Sequence, residues 1–131
     1  MNRVVELLQQ GITFYIATLD GDQPRVRPFG AVSDIDGKIY LATNNTKAVY
    51  RQLLKNPKIE ICTALPDMRW IRVTAEAVAD DSRAIKEKML SLNPALTSMY
   101  SVDDGIFVTI LLERGTAKVE SFGGLEETID F

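Results

Sequence analysis

The 131-residue sequence predicts a mainly β domain with α-helices at its periphery (α+β). Three observations lead there. Apolar residues alternate with polar ones in several short stretches rich in β-branched and aromatic residues. Most of these stretches are joined by tight turns rather than by helices, so neighbouring strands pair antiparallel. Regular strand–helix alternation is missing, which disfavours a doubly wound parallel sheet. About six to seven such strands with two or three helices in this length predict a small antiparallel β-barrel.

The elements follow in order. Asn2 can cap a helix over Arg3–Gln10, with Val4, Leu7 and Leu8 as its apolar stripe and Gly11 at its end. Thr13–Leu19 reads as a strand, and Asp20-Gly21-Asp22 as a turn. Pro24–Asp34 reads as the next strand, with Arg25, Arg27 and Phe29 on one face and Val26, Pro28 and Gly30 on the other. Pro28 lacks a backbone donor, so this strand should be unpaired or at an edge there. Asp36-Gly37 is a hairpin turn into a strand over Lys38–Thr43. Asn44, Asn45 and Thr46 then open a helix over Lys47–Lys55, ended by Asn56-Pro57. Lys58–Ala64 and Trp70–Ala79 are strands separated by a turn at Pro66-Asp67. In the second, Ile71, Val73, Ala75, Ala77 and Ala79 share one side, and Trp70, Arg72, Thr74 and Glu76 the other. Asp80, Asp81 and Ser82 cap a helix reaching Leu92, and Asn93-Pro94 restarts a shorter helical piece. Gly105–Leu112 and Thr116–Phe122 read as two closing strands, followed by a turn or flexible tail at Gly123-Gly124. No repeat, low-complexity tract or Ser/Gly-rich linker interrupts the chain, so residues 1–131 read as one domain.

Composition narrows the chemistry. The net charge is −3, which argues against nucleic acid as a partner. The one cysteine, Cys62, excludes an internal disulfide and cysteine-rich metal sites within a chain, and its surroundings suit a small core residue. There is no histidine. That removes Ser-His-Asp and Cys-His catalysis and histidine-ligated metals, and no metal site is expected. Any redox chemistry then falls to a bound cofactor. The first ten residues do not read as a signal peptide, and the apolar run Ile12–Leu19 is too short for a membrane span. The expected compartment is the cytoplasm, with no membrane partner.

Two segments carry the candidate site. One is Gln23-Pro24-Arg25-Val26-Arg27-Pro28-Phe29-Gly30. The other is Leu41-Ala42-Thr43-Asn44-Asn45-Thr46-Lys47. The second ends a strand in hydroxyl and amide side chains and opens a helix with Lys47 in its first turn. Unpaired amides and the positive end of the helix dipole suit a phosphate there. Arg27 can add a planar two-pronged contact from the neighbouring strand. The same residues also read as ordinary caps beside a solvated lysine. The aspartates fall at turns and caps without a shared face, so paired acid–base work is unsupported.

With these segments, the chain resembles the FMN-binding split-barrel proteins related to pyridoxamine 5′-phosphate oxidase. The likeness runs through Phe14-Tyr15-Ile16-Ala17-Thr18, Pro24–Phe29, Ile39–Asn44, Lys47, Asn56-Pro57 and Trp70-Ile71-Arg72-Val73. It implies a split β-barrel homodimer with FMN at the subunit interface and a flavin-dependent oxidoreductase activity on a small molecule. By position, Arg27 and Lys47 would hold the flavin phosphate. Thr43, Asn44, Asn45 and Thr46 would contact the phosphate and ribityl chain. The backbone from Arg25 to Pro28 would approach the flavin ring. Trp70 and Arg72 would lie near the site, from either subunit; Trp70 reads equally as a packing aromatic, and Arg25 as an exposed strand residue. The resemblance departs where the vitamin-B6 oxidases carry an Arg-x-His element towards their C-terminus, so that activity is not expected. A non-catalytic flavin carrier or sensor, and a barrel without cofactor, are the alternative readings.

Overall fold

The computed structural model describes residues 2–11 and 13–131. Ile12, the first residue of the short apolar run, lies outside the described residues. Helix α1 is Arg3–Gln10, and Asn2 caps it by accepting from the Val4 and Val5 amides. Strands follow at β1 (Phe14–Asp20), β2 (Gln23–Phe29), β3 (Val32–Ile35) and β4 (Lys38–Asn44). Helix α2 (Ala48–Lys55) leads to β5 (Lys58–Leu65) and β6 (Arg69–Asp80). Helix α3 (Arg83–Leu92) and a 3₁₀ helix (Pro94–Ser98) precede β7 (Phe107–Ser121) and β8 (Gly124–Asp130).

All eight strands belong to one antiparallel sheet, ordered β2-β1-β5-β6-β7-β4-β3, with β8 also pairing β7. The sheet is not closed: β2 and β3 end its main path, and β8, paired only with β7, is a further edge. The architecture is therefore the α+β split barrel expected. β7 explains how eight strands fit. Its first half pairs β4, from Asn44↔Phe107 to Ile39↔Leu112. Its second half pairs β8, from Thr116↔Asp130 to Ser121↔Gly124. β6 runs along both halves.

Two of the expected strands need correction. Pro24–Asp34 is not one strand. The chain leaves β1 after Phe29, and Val32 begins a strand paired only with β4, so the two pieces lie on opposite edges of the sheet. Pro28 sits on β2 at the edge of the sheet, the position in which a strand tolerates proline. Gly105–Leu112 and Thr116–Phe122 are one strand. The polar step Glu113–Gly115 is a bulge, with Arg114 at φ 52° and the register to β6 shifting between Thr74 and Glu76. Of the two readings at Gly123-Gly124 the turn holds: the chain turns at Phe122-Gly123 into β8, a strand not among those expected. With Asp36 at φ 54° and Gly37 at φ 79°, the β3–β4 turn has both central residues left-handed, as a tight two-residue hairpin requires.

The barrel interior collects the inward faces of β1, β4, β5, β6 and β7: Phe14, Ile16, Ile39, Leu41, Ile61, Ile71, Val73, Ile110 and Val119 are all buried. The apolar face of α1 (Val4, Val5, Leu7, Leu8) packs into the same core. A second, smaller cluster lies on the other face of β4. There Ile35, Tyr40 and Phe107 meet Met89 of α3 and partly buried Leu96 and Tyr100. β4 is thus covered on both faces, and its end is held between the barrel and the 3₁₀ helix. Cys62 departs from the core reading. Ile59 and Ile61 point inward, so the period of two puts Cys62 on the outer face, partly exposed, paired with Tyr15 and Arg72.

Candidate functional site

The site forms where β2, β4 and α2 meet. Lys47 is not in the first turn of α2 but is its N-cap residue, with extended backbone (φ −81°, ψ 148°) and no capping side chain. The Ala48 and Val49 amides have no acceptor among the described residues, as helix geometry dictates for a first turn. No acidic residue stands in that turn to occupy them.

The polar cluster before Lys47 holds this turn in shape. Asn44 is buried, and its amide group donates to the Tyr100 hydroxyl at 2.8 Å. Its carbonyl oxygen accepts from the Thr46 amide at 3.0 Å and the Thr46 hydroxyl at 2.5 Å. Asn45 donates its side-chain amide to Gly105 O at 2.9 Å, and its backbone N–H donates to Ile106 O at 2.9 Å. Next to it, the Asp104 carboxylate accepts from the backbone amides of Ser101, Ile106 and Phe107 at 3.0, 2.9 and 2.9 Å. These bonds, that from Phe107 foremost, hold the Asp104 carboxyl below the usual carboxylate range. A depressed folded value means that its contribution is complete above the unfolded value. It is lost as pH falls through the folded one. Asp104→Asn is therefore expected to lower the thermal midpoint at pH 7 and to flatten its decline at acid pH; equal acid profiles for the two proteins would contradict this.

Arg27 reaches this corner from β2. Its Nη1 donates to the Thr18 hydroxyl at 2.7 Å, and its Nη2 to the Gln52 side-chain oxygen at 2.7 Å. Nη1 also lies 3.3 Å from each of the carbonyls of Ile16 and Arg25. No carboxylate pairs with Arg27 among the described residues. Burial first, then the Arg25 charge, pulls its pKa down, yet arginine remains a cation at any ordinary pH. Gln52 lies one turn beyond Ala48 on the same helix face, so this bond ties Arg27 to α2 one turn past the residues whose amides are free.

Two clefts border α2, one along its length and one at its N-terminus. One, of about 490 Å³, lies between the β1–β2 turn and α2 and is lined by Ala48, Arg51 and Gln52. The other, of about 540 Å³, lies between the end of β2 and the 3₁₀ helix, with Pro28, Phe29, Lys47, Met99 and Tyr100 in its wall. Pro28 and Lys47 thus line one cleft, Asn44, Asn45 and Thr46 shape the turn before Lys47, and Arg27 joins α2 through Gln52. The structure sets the other residues of interest apart within one chain. Thr43 is buried, and its hydroxyl has no partner among the described residues. Arg25 pairs with Asp20 at 3.3 Å. Trp70 and Arg72 lie on the outer face of β6, where Trp70 meets Phe122 edge-on and Arg72 faces Glu60 at 3.9 Å. Sequence reasoning passed over Thr18 and Gln52 as site residues. The signal for Thr18 was a hydroxyl at an inward position, two residues past Ile16.

The profile of the pyridoxamine 5′-phosphate oxidase family matches residues 2–110. The chain belongs to the pyridoxamine 5′-phosphate oxidase-related family. A NimC/NimA family protein from Clostridium acetobutylicum shares 46% identity with it, over 100% of this chain and 93% of that one, at a TM-score of 0.95. General Stress Protein 26 from Bacillus anthracis has the same fold at 18% identity, over 96% and 94% of the two chains and a TM-score of 0.75. So has a heme binding protein from Mycobacterium smegmatis, at 16% identity and a TM-score of 0.70, covering 98% of this chain and 57% of that one. Among curated proteins, none matches the sequence. No described helix is long and apolar enough to cross a membrane, and the described residues hold no cluster of potential metal ligands.

Proposed function

We propose that this family member binds FMN and acts as a flavin-dependent oxidoreductase on a small molecule. The observation that carries the reading is Arg27, a half-buried guanidinium whose partners are all neutral, tied through Gln52 to the helix whose opening amides are free. A phosphate fits this donor set: two charges from Arg27 and Lys47, and the backbone amides of Ala48 and Val49. Pro28 and the cleft beside Lys47 and Tyr100 offer an apolar wall for a planar ring. FMN, when bound, supplies hydride or electron transfer. The chain's own residues bind, orient and exclude water, which is consistent with the lack of any histidine to act as a base.

In this reading a second copy of the chain completes the site. The outer face of β2, β1, β5 and β6 supports it. Val26 and Tyr15 stand 69% and 50% exposed there. A homodimer seated on this face would bring Trp70 and Arg72 of one subunit towards the Pro28 edge of the other. Added FMN is expected to raise the thermal midpoint, since a ligand that binds only the folded state stabilises it by mass action. The FMN-loaded protein is expected to oxidise a reduced nicotinamide. FMN-dependent stabilisation without turnover would favour the carrier reading, and no stabilisation would reject both.

A further inference from the structure

Thr18, Gln52 and Arg27 form a closed ring of hydrogen bonds. The Thr18 hydroxyl accepts from Arg27 Nη1 and donates to Gln52 Oε1 at 2.5 Å, and the same oxygen accepts from Arg27 Nη2. Thr18 is 3% exposed, so the ring is anchored inside the barrel wall. It joins three separate elements: β1, β2 and α2.

A guanidinium has five donor hydrogens. Here the two on Nη1 go to Thr18 and the neighbouring carbonyls, and one on Nη2 goes to Gln52. Nε–H and the second Nη2 hydrogen have no acceptor among the described residues. A phosphate takes such a pair through two oxygens. Both fixing partners are neutral. A carboxylate at position 52 could accept the same bonds, but it would cancel the charge that an anionic ligand needs.

We propose that Thr18 and Gln52 are positioning residues that fix the Arg27 guanidinium while leaving it an unneutralised cation for the ligand's phosphate. The inference rests on the FMN reading for the identity of the ligand, but not for the ring itself. Gln52→Glu separates positioning from mere structure. It is expected to keep or raise the ligand-free thermal midpoint, because the ring gains an ion pair, while FMN affinity falls about tenfold or more. Gln52→Ala, which removes the acceptor altogether, is expected to weaken FMN binding as well. It decides the matter if the glutamate variant does not fold. FMN affinity equal to wild type in the folded variants would overturn the proposal.

Inorganic phosphate, read through the amide NMR shifts of Thr18, Ala48 and Gln52, separates this inference from the FMN reading. If the wild type binds no FMN but phosphate shifts those amides, and Gln52→Glu abolishes the shifts, the FMN reading fails and the positioning role stands. If wild type and variant respond alike to phosphate, or neither responds, the positioning role fails too.

Discussion

Replacing Arg27 and Lys47 together by alanine is expected to weaken FMN binding by roughly a hundredfold or more. Each residue offers charge-assisted hydrogen bonds to the phosphate, worth about 1.5–3 kcal/mol apiece, and ~1.4 kcal/mol is a factor of ten. The fold should survive. Lys47 is exposed and caps nothing with its side chain, and Arg27 lies on an edge strand. Without Arg27, Thr18 and Gln52 still bond to each other. Flavin fluorescence titration measures the affinity, and circular dichroism checks the fold. An affinity unchanged in the double variant would remove the phosphate from this corner of the molecule.

Ile71→Ala is expected to cost about 2–5 kcal/mol of stability. Ile71 is fully buried in β6, paired with Thr63 of β5 on one side and Val119 of β7 on the other. The cavity left there borders strands on both sides and has little room to collapse. For a chain of this size the thermal midpoint should fall by roughly 10 °C. A loss below ~1 kcal/mol would contradict the placement of Ile71 at the centre of the barrel.

Much of the fold was legible because local signals and burial agree. Asn2, the Val4–Leu8 stripe and Gly11 delimit α1, and the alternation in β6 separates Ile71 and Val73 from Trp70 and Arg72. Pro28 announced an edge strand. What stayed hidden depends on pairing, which sequence does not display. Gly30-Ala31 reads as a continuation of β2, although the chain there crosses from one edge of the sheet to the other. Arg114 and Gly115 read as a break, yet a bulge carries β7 through them. β8 escaped notice because Glu126, Glu127 and Thr128 dilute its alternation, and only Ile129, with Phe131 beyond it, packs on the core. In the site, Arg27 and Lys47 stood out as cations beside a helix start. Gln52 did not, because a polar residue inside an amphipathic helix looks like any solvated one until β1 and β2 are set against it.

The central claim is that the corner between Arg27 and the first turn of α2 holds the phosphate of a flavin. The visible absorption spectrum of the wild-type protein, incubated with FMN and freed of unbound flavin by gel filtration, tests it most directly. Wild-type protein is expected to retain a flavin band at one FMN per chain, which the Arg27→Ala, Lys47→Ala protein fails to retain. A colourless wild-type protein, or a band kept equally by the double variant, would contradict it.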